Sequence, residues 1–255
     1  MTEPADTDLY RRGMMTALAA WEEYAGDTAD AEVRRSPGVA AAIFPSGPER
    51  DVYNNAILER HLPGPDRADA VAAMKTAYDA RGVTRFAAWV HETDEPLRSD
   101  LERRGYTVDE TTRAMGMALT DILMPRPALD LGSAGWDDFV RIFGLPEGLL
   151  GGADHSAFHL LFARFEDECV ATATALDHEG DCGIYNVATL EHARRRGLGT
   201  ALTAVQLHHA AARGCRTASV QSTEMAERVY AAVGFRDLGL ILEYVPGASH
   251  NPIHT

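Results

Sequence analysis

The stretch Gly183-Ile184-Tyr185-Asn186-Val187-Ala188-Thr189-Leu190-Glu191-His192-Ala193-Arg194-Arg195-Arg196-Gly197-Leu198-Gly199-Thr200 decides how this chain is read. Gly183 to Leu190 is a β-prone run, and from Leu198 to Ala212 the apolar residues Leu198, Ala201, Leu202 and Val205 recur at helical spacing. A strand, a short polar connector and a helix therefore follow one another, as a parallel crossover requires. A helix start leaves its first backbone N–H groups without intrahelical acceptors, and the helix dipole places partial positive charge there. Gly197 and Gly199 lack the Cβ that would hold an anion off the backbone, Thr200 offers a hydroxyl, and Arg194, Arg195 and Arg196 bring neutralising charge. The segment reads as a cradle for a diphosphate.

Other loops of this kind fit less well. A Walker A loop needs Gly-Lys-Ser/Thr after its first glycine, which is missing here. A dinucleotide fingerprint needs a third glycine where Leu202 stands. A plain helix start with solvated arginines remains open on these residues alone.

Working outward, Trp136 to Phe143 reads as a helix, while His159 to Phe165 and Ala171 to Leu176 read as strands before the one that begins at Gly183. Thr217 to Val220 reads as the strand after the crossover helix. Val52-Tyr53-Asn54-Asn55-Ala56-Ile57-Leu58-Glu59 resembles Ile184 to Glu191, and at the same offset Arg81-Gly82 matches Arg213-Gly214. Strands Phe86 to Val90 and Thr217 to Val220, then the pairs Gly105-Tyr106 and Gly234-Phe235, continue the match in the same order. The expectation is an α/β chain of two tandem units, 1–124 and 133–255, each a mixed sheet flanked by helices, with residues 125–132 around Pro125 and Pro127 as linker.

Tyr185 to Leu190, Arg194-x-x-Gly197-x-Gly199-Thr200, and Thr223-Glu224-Met225-Ala226-x-x-Val229-Tyr230-x-x-Val233-Gly234-Phe235 together resemble the GNAT superfamily of N-acetyltransferases. The resemblance runs from about Phe158 to Tyr244, with the first half as a decayed copy. It implies a sheet that splays open at its middle strands to admit the pantetheine of acetyl-CoA, and direct transfer of the acetyl group to an amine within a ternary complex; the expected acceptor is a primary amine of a small molecule, with a protein N-terminus or lysine as the other possibility. Carried over, Arg194 to Thr200, Leu198 included, hold the phosphates, Val187, Ala188 and Thr189 pair with pantetheine, and Thr223 stands at a cofactor-contact position. Tyr230 falls on the position of the acid that protonates the departing thiolate. A phenol of pKa about 10 carries its proton at neutral pH, though the helical spacing of Ala226, Val229, Tyr230 and Val233 also suits a core aromatic. A backbone N–H near Val187 would polarise the thioester carbonyl. Glu191, His192 and Glu224 are available as bases, and nothing selects one of them.

In the first copy Pro65 and Arg67 take the places of Gly197 and Gly199, Asp66 and Asp69 add negative charge, and Leu101 replaces Tyr230. That copy is expected to bind no coenzyme A and to pack against the active copy, walling the acceptor site together with the loop Leu145 to Ser156. Two other readings stand beside the enzyme: a CoA-binding sensor or scaffold without turnover, and a purely structural pseudoenzyme, which would gain no stability from CoA.

Composition narrows the partners. A net charge of -14 over 255 residues argues against nucleic acid and favours cationic ligands such as amines. No run of eighteen apolar residues and no basic, apolar leader is present, so a cytoplasmic protein without a membrane span is expected. Cys169, Cys182 and Cys215 are expected to be reduced and structural, and no metal site is expected, His250 and His254 lacking a third ligand.

Overall fold

Helix α1 (Asp6–Gly26) opens the described chain. The structure is a computed structural model, and it describes residues 4–26, 28–46, 53–132, 135–144, 155–165 and 168–247. The chain divides into a larger unit, Met1–Thr28 with Arg113–Gly239, and a smaller unit, Ala29–Thr112 with Leu240–Thr255.

The smaller unit contains strands β1 (Glu32–Ser36), β2 (Val39–Ile43), β3 (Asn55–Leu58) and β4 (Ala87–His91), with helices α2 (Gly64–Asp79) and α3 (Glu95–Arg103). β1, β2 and β3 are antiparallel neighbours, and β3 pairs in parallel with β4 across the α2 crossover. Its core gathers Ile43, Met74, Tyr78, Leu97 and Leu101 between helices and sheet. The Tyr78 hydroxyl is buried there and donates to the Ala42 carbonyl at 3.0 Å, because a phenol taken out of water needs a partner.

The chain enters the larger unit along the long strand β5 (Tyr106–Ala118), followed by α4 (Trp136–Phe143), β6 (His159–Phe165), β7 (Glu168–His178), β8 (Asp181–Thr189), α5 (Leu198–Arg213), β9 (Thr217–Ser222), α6 (Glu227–Ala231) and β10 (Arg236–Pro246). β6, β7 and β8 are antiparallel neighbours, and β8 pairs in parallel with β9 across the α5 crossover. Ile184, Leu207, Val220 and Val233 fill the core under α5. The helices and strands expected between Trp136 and Val220 are all present, several extended by a residue or more. Gly214, at φ +99, caps α5, whereas α2 stops at Asp79, ahead of Gly82.

Both units share one strand pattern, but they do not follow the two sequence copies. β5 continues the first copy, yet its Arg113–Ala118 portion pairs antiparallel with β9 in the larger unit. β10 ends the second copy, yet Ile241–Tyr244 pair antiparallel with β4 in the smaller. Helix α1, also from the first copy, packs on the larger unit's sheet, where Gly13 lies so close to Ser219 that a Cβ would approach its Cβ to 2.9 Å. The contiguous division 1–124 and 133–255 is therefore replaced by exchanged segments. Strand composition announces a strand and not its neighbour, so the repeat alone does not reveal the exchange.

Under α1 lies Asp181, 1% exposed, at the start of β8. It accepts hydrogen bonds from the hydroxyls of Thr16 (2.8 Å), Thr217 (2.6 Å) and Ser219 (2.6 Å). A buried carboxylate persists only with such donors, so this group ties α1 to two strands at once. No helix among the described residues is long and apolar enough to cross a membrane.

Candidate active site

The site begins where β8 leaves β9. Their parallel pairing covers Asp181 to Gly183 against Thr217 to Ser219 and ends there, while β8 runs on to Thr189 and β9 to Ser222. β8 also carries a bulge. Thr172 faces Ala188 and Thr174 faces Tyr185, so Asn186 and Val187 together oppose Ala173. Asn186 takes the left-handed conformation at φ +52, which Asn tolerates better than a branched residue. Its amide donates to the Tyr24 hydroxyl of α1 at 3.2 Å, and the Tyr24 ring stacks on Phe158 at 4.9 Å. The bulge bends the strand just where the two strands stop pairing, which leaves the edge of Val187 to Thr189 without β9 as a partner.

A short turn, Glu191–Ala193, joins β8 to the loop, and Arg195 (φ +60) and Gly197 (φ +77) both adopt left-handed backbone there. Gly197 is the N-cap of α5. No side chain caps the helix, its first turn has no acid, and its first intrahelical bond runs from Ala201 N to Gly197 O at 2.9 Å. The amides of Leu198, Gly199 and Thr200 thus precede the hydrogen-bonded ladder. A Cβ on Gly199 would lie 3.5 Å from Val187 Cγ1, an ordinary contact, so the protein's own packing does not require glycine there.

The three arginines do not act as one group. The Arg194 guanidinium donates to the Thr189 carbonyl at 3.0 Å, and Arg196 stacks 4.1 Å over the Phe165 ring. Arg195 is exposed. Thr223 lies exposed in the turn before α6, where its carbonyl accepts from Ala226 N and the Ser222 hydroxyl. Tyr230, on α6, is 6% exposed and meets Phe235 edge-on at 5.8 Å. Burial pushes its phenol up to about 12. Sequence reasoning did not foresee Arg113 of β5, which bridges Glu227 (2.7 Å) and Asp237 (2.6 Å) and pins α6. It also missed the Tyr24–Asn186 bond, whose partners lie 162 positions apart. Residues 145–154 of the expected acceptor loop, and His250 with His254, lie outside the described residues.

Among the described residues no group of three or more His, Cys, Asp or Glu could hold a metal ion. All three cysteines are free. Burial raises the Cys182 thiol well above its usual range and pushes Cys215 up to about 12. Because the thiolate is the reactive form, native protein at pH 8 should leave both unmodified by iodoacetamide within the time that unfolded protein is fully labelled. Rapid native labelling at Cys182 in a peptide map would contradict this burial.

Residues 135–235, all within the larger unit, match the model of the acetyltransferase (GNAT) family. The chain carries a GNAT acetyltransferase domain. No curated protein matches the chain significantly. Solved structures do. A GCN5-related N-acetyltransferase from Kribbella flavida is similar over 94% of this chain and 96% of its own, at 16% identity and a TM-score of 0.71. A GCN5-related N-acetyltransferase from Sphaerobacter thermophilus is similar over 96% of both chains, at 16% identity and a TM-score of 0.56. A tandem GNAT protein from the clavulanic acid biosynthesis pathway covers 95% of this chain and 96% of its own, at 12% identity and a TM-score of 0.58. At such identities the likeness is one of fold, and it spans the smaller unit as well as the GNAT domain.

Proposed function

We propose that this chain is an acetyl-CoA-dependent N-acyltransferase that acetylates a primary amine of a small molecule by direct transfer. One observation carries the reading: the slot between β8 and β9, open beyond Gly183 and Ser219, leads along β8 to the uncapped start of α5. The residues present suit coenzyme A, since three leading amides without a side-chain cap and a Cβ-free Gly199 leave room for a diphosphate. The edge of Val187, Ala188 and Thr189 would take the pantetheine amides, and Arg195 and Thr200 add charge and a hydroxyl. The thioester supplies the activated acyl group.

The chain's own contribution is then positional and electrostatic. The Val187 amide polarises the carbonyl, and the amine nitrogen attacks its carbon as the C–S bond breaks. The amine gives up a proton and the thiolate gains one. Tyr230 is the donor to sulfur. With its phenol near 12 and an ordinary thiol near 8.5, that transfer runs uphill unless the new ammonium returns a proton to the phenol. Burial of Tyr230 is also what a CoA-binding sensor without turnover would tolerate. Release of free thiol from acetyl-CoA in a screen of polyamines, aminoglycosides, amino acids and peptides separates the two. Binding without release for every amine would favour the sensor.

Gly199→Ala should weaken CoA at least tenfold by calorimetry while leaving thermal stability unchanged or higher, since alanine is the better helix former by up to about 1 kcal/mol. Unaltered affinity would remove the cradle from the reading. The start of α2 supports a single site per chain. Pro65 removes an amide, Asp66 sits in the first turn, and Arg67 is engaged by the Leu62 carbonyl and the Asp100 carboxylate. Calorimetric titration is expected to give one CoA per chain, and two would show a second cradle in the smaller unit.

A further inference from the structure

The larger unit has a second concavity at the other end of α5. A cavity of about 860 Å³ is bounded there by the first turns of α1, the end of β5 with the turn after it, and the α5–β9 connector. Small-molecule sites are typically about 300–1,000 Å³, so the volume suits a metabolite. α5 has 16 residues, which places this cavity about 24 Å along the helix from the cradle.

Its charges are arranged unusually. Asp8 is taken up by Arg11 (2.9 Å) and Arg12 (2.8 Å). Asp181, on the floor of the adjoining pocket of about 210 Å³, is satisfied by its three hydroxyls. Two opposite charges on the main cavity's wall are left over. Arg216 is fixed through its backbone, its N–H donating to Gly180 O (2.8 Å) and its carbonyl accepting from Leu119 N (2.9 Å). Its guanidinium has no ion pair among the described residues, and it lines both cavities. Asp121 receives only the neighbouring Thr120 hydroxyl at 3.0 Å and likewise has no ion pair among the described residues. The two do not pair with each other. Thr120, Thr217 and the apolar Ala118, Leu119 and Ala211 line the same cavity.

We infer that this cavity is a binding site for a small zwitterion of the free amino acid class, its carboxylate on Arg216 and its ammonium on Asp121. Both charges gain a partner at once, a planar carboxylate suits the guanidinium fork, and the apolar wall takes the ligand's side chain. A simple anion satisfies Arg216 and leaves Asp121 without a cation, and a simple amine does the reverse.

The test uses the full chain and the twenty free L-amino acids taken singly, with sodium acetate and methylamine as half-ligand controls, read by calorimetry. At least one amino acid should bind, and Arg216→Ala and Asp121→Asn should each weaken it tenfold or more while CoA affinity stays unchanged. Arg194→Ala should leave the amino acid's affinity unaltered. No binding by any amino acid, binding equalled by acetate or methylamine, or binding that survives Arg216→Ala overturns the inference. The last outcome would place the amino acid elsewhere, including at the acceptor position. Loss of CoA binding in the wild type would count against the acetyltransferase reading and not against this site.

Discussion

Tyr230→Phe is expected to lower turnover by about 10²–10⁴, the usual scale for losing a positioned general acid, while CoA affinity changes less than twofold. The substitution removes one oxygen from a side chain already packed on Phe235 within the core beside α5, so it should not disturb the fold. Steady-state thiol release with calorimetry on the same preparation checks both halves, and unchanged turnover would make Tyr230 a core aromatic only. The phenol also couples folding to pH. Its folded value of about 12 lies above the ordinary 10, so between those values the unfolded chain has lost a proton that the folded chain keeps. The stability it confers is complete below pH 10 and declines as pH climbs toward 12. Tyr230→Phe should therefore reduce the slope of stability against pH in that interval. Part of the slope remains, since burial also raises Tyr24, Tyr78 and Tyr185.

The largest loss of stability is expected from Asp181→Ala, at about 3 kcal/mol or more. The buried Thr217 and Ser219 hydroxyls lose their acceptor while Thr16 keeps the Arg12 carbonyl, and an unsatisfied buried polar group costs about 1–3 kcal/mol. Partial relaxation keeps the total below the simple sum. Denaturant unfolding followed by circular dichroism gives the number, and a loss under 1 kcal/mol would mean that water reaches the hydroxyls. Thr16→Val should cost less, because Asp181 keeps Thr217 and Ser219 as donors.

Much of the larger unit was legible because its elements are locally coded. Leu198, Ala201, Leu202 and Val205 mark the buried stripe of α5, and Gly197 and Gly214 stand at its two ends with left-handed backbone. The uncapped helix start could be read because it and its glycines are sequence neighbours. What escaped lies in long-range choices. Arg113 reaches Glu227 across 114 positions, and Asp181 gathers three hydroxyls from α1 and β9, so no local pattern hints at either. The bulge at Asn186 appears only once β7 is laid beside β8. The arginine triplet looked uniform as text, yet Arg194 and Arg196 turn to a carbonyl and a ring.

The crossed strands bear on how such a chain can be shortened. Cutting between the copies would strip β9 of its β5 neighbour and β4 of its β10 neighbour, baring a ladder edge on each fragment that invites pairing with other chains. Neither gene half encodes a closed sheet, so a lineage that lost one copy would lose the other's fold with it, and a catalytic fragment trimmed at residue 133 should be recovered as aggregate.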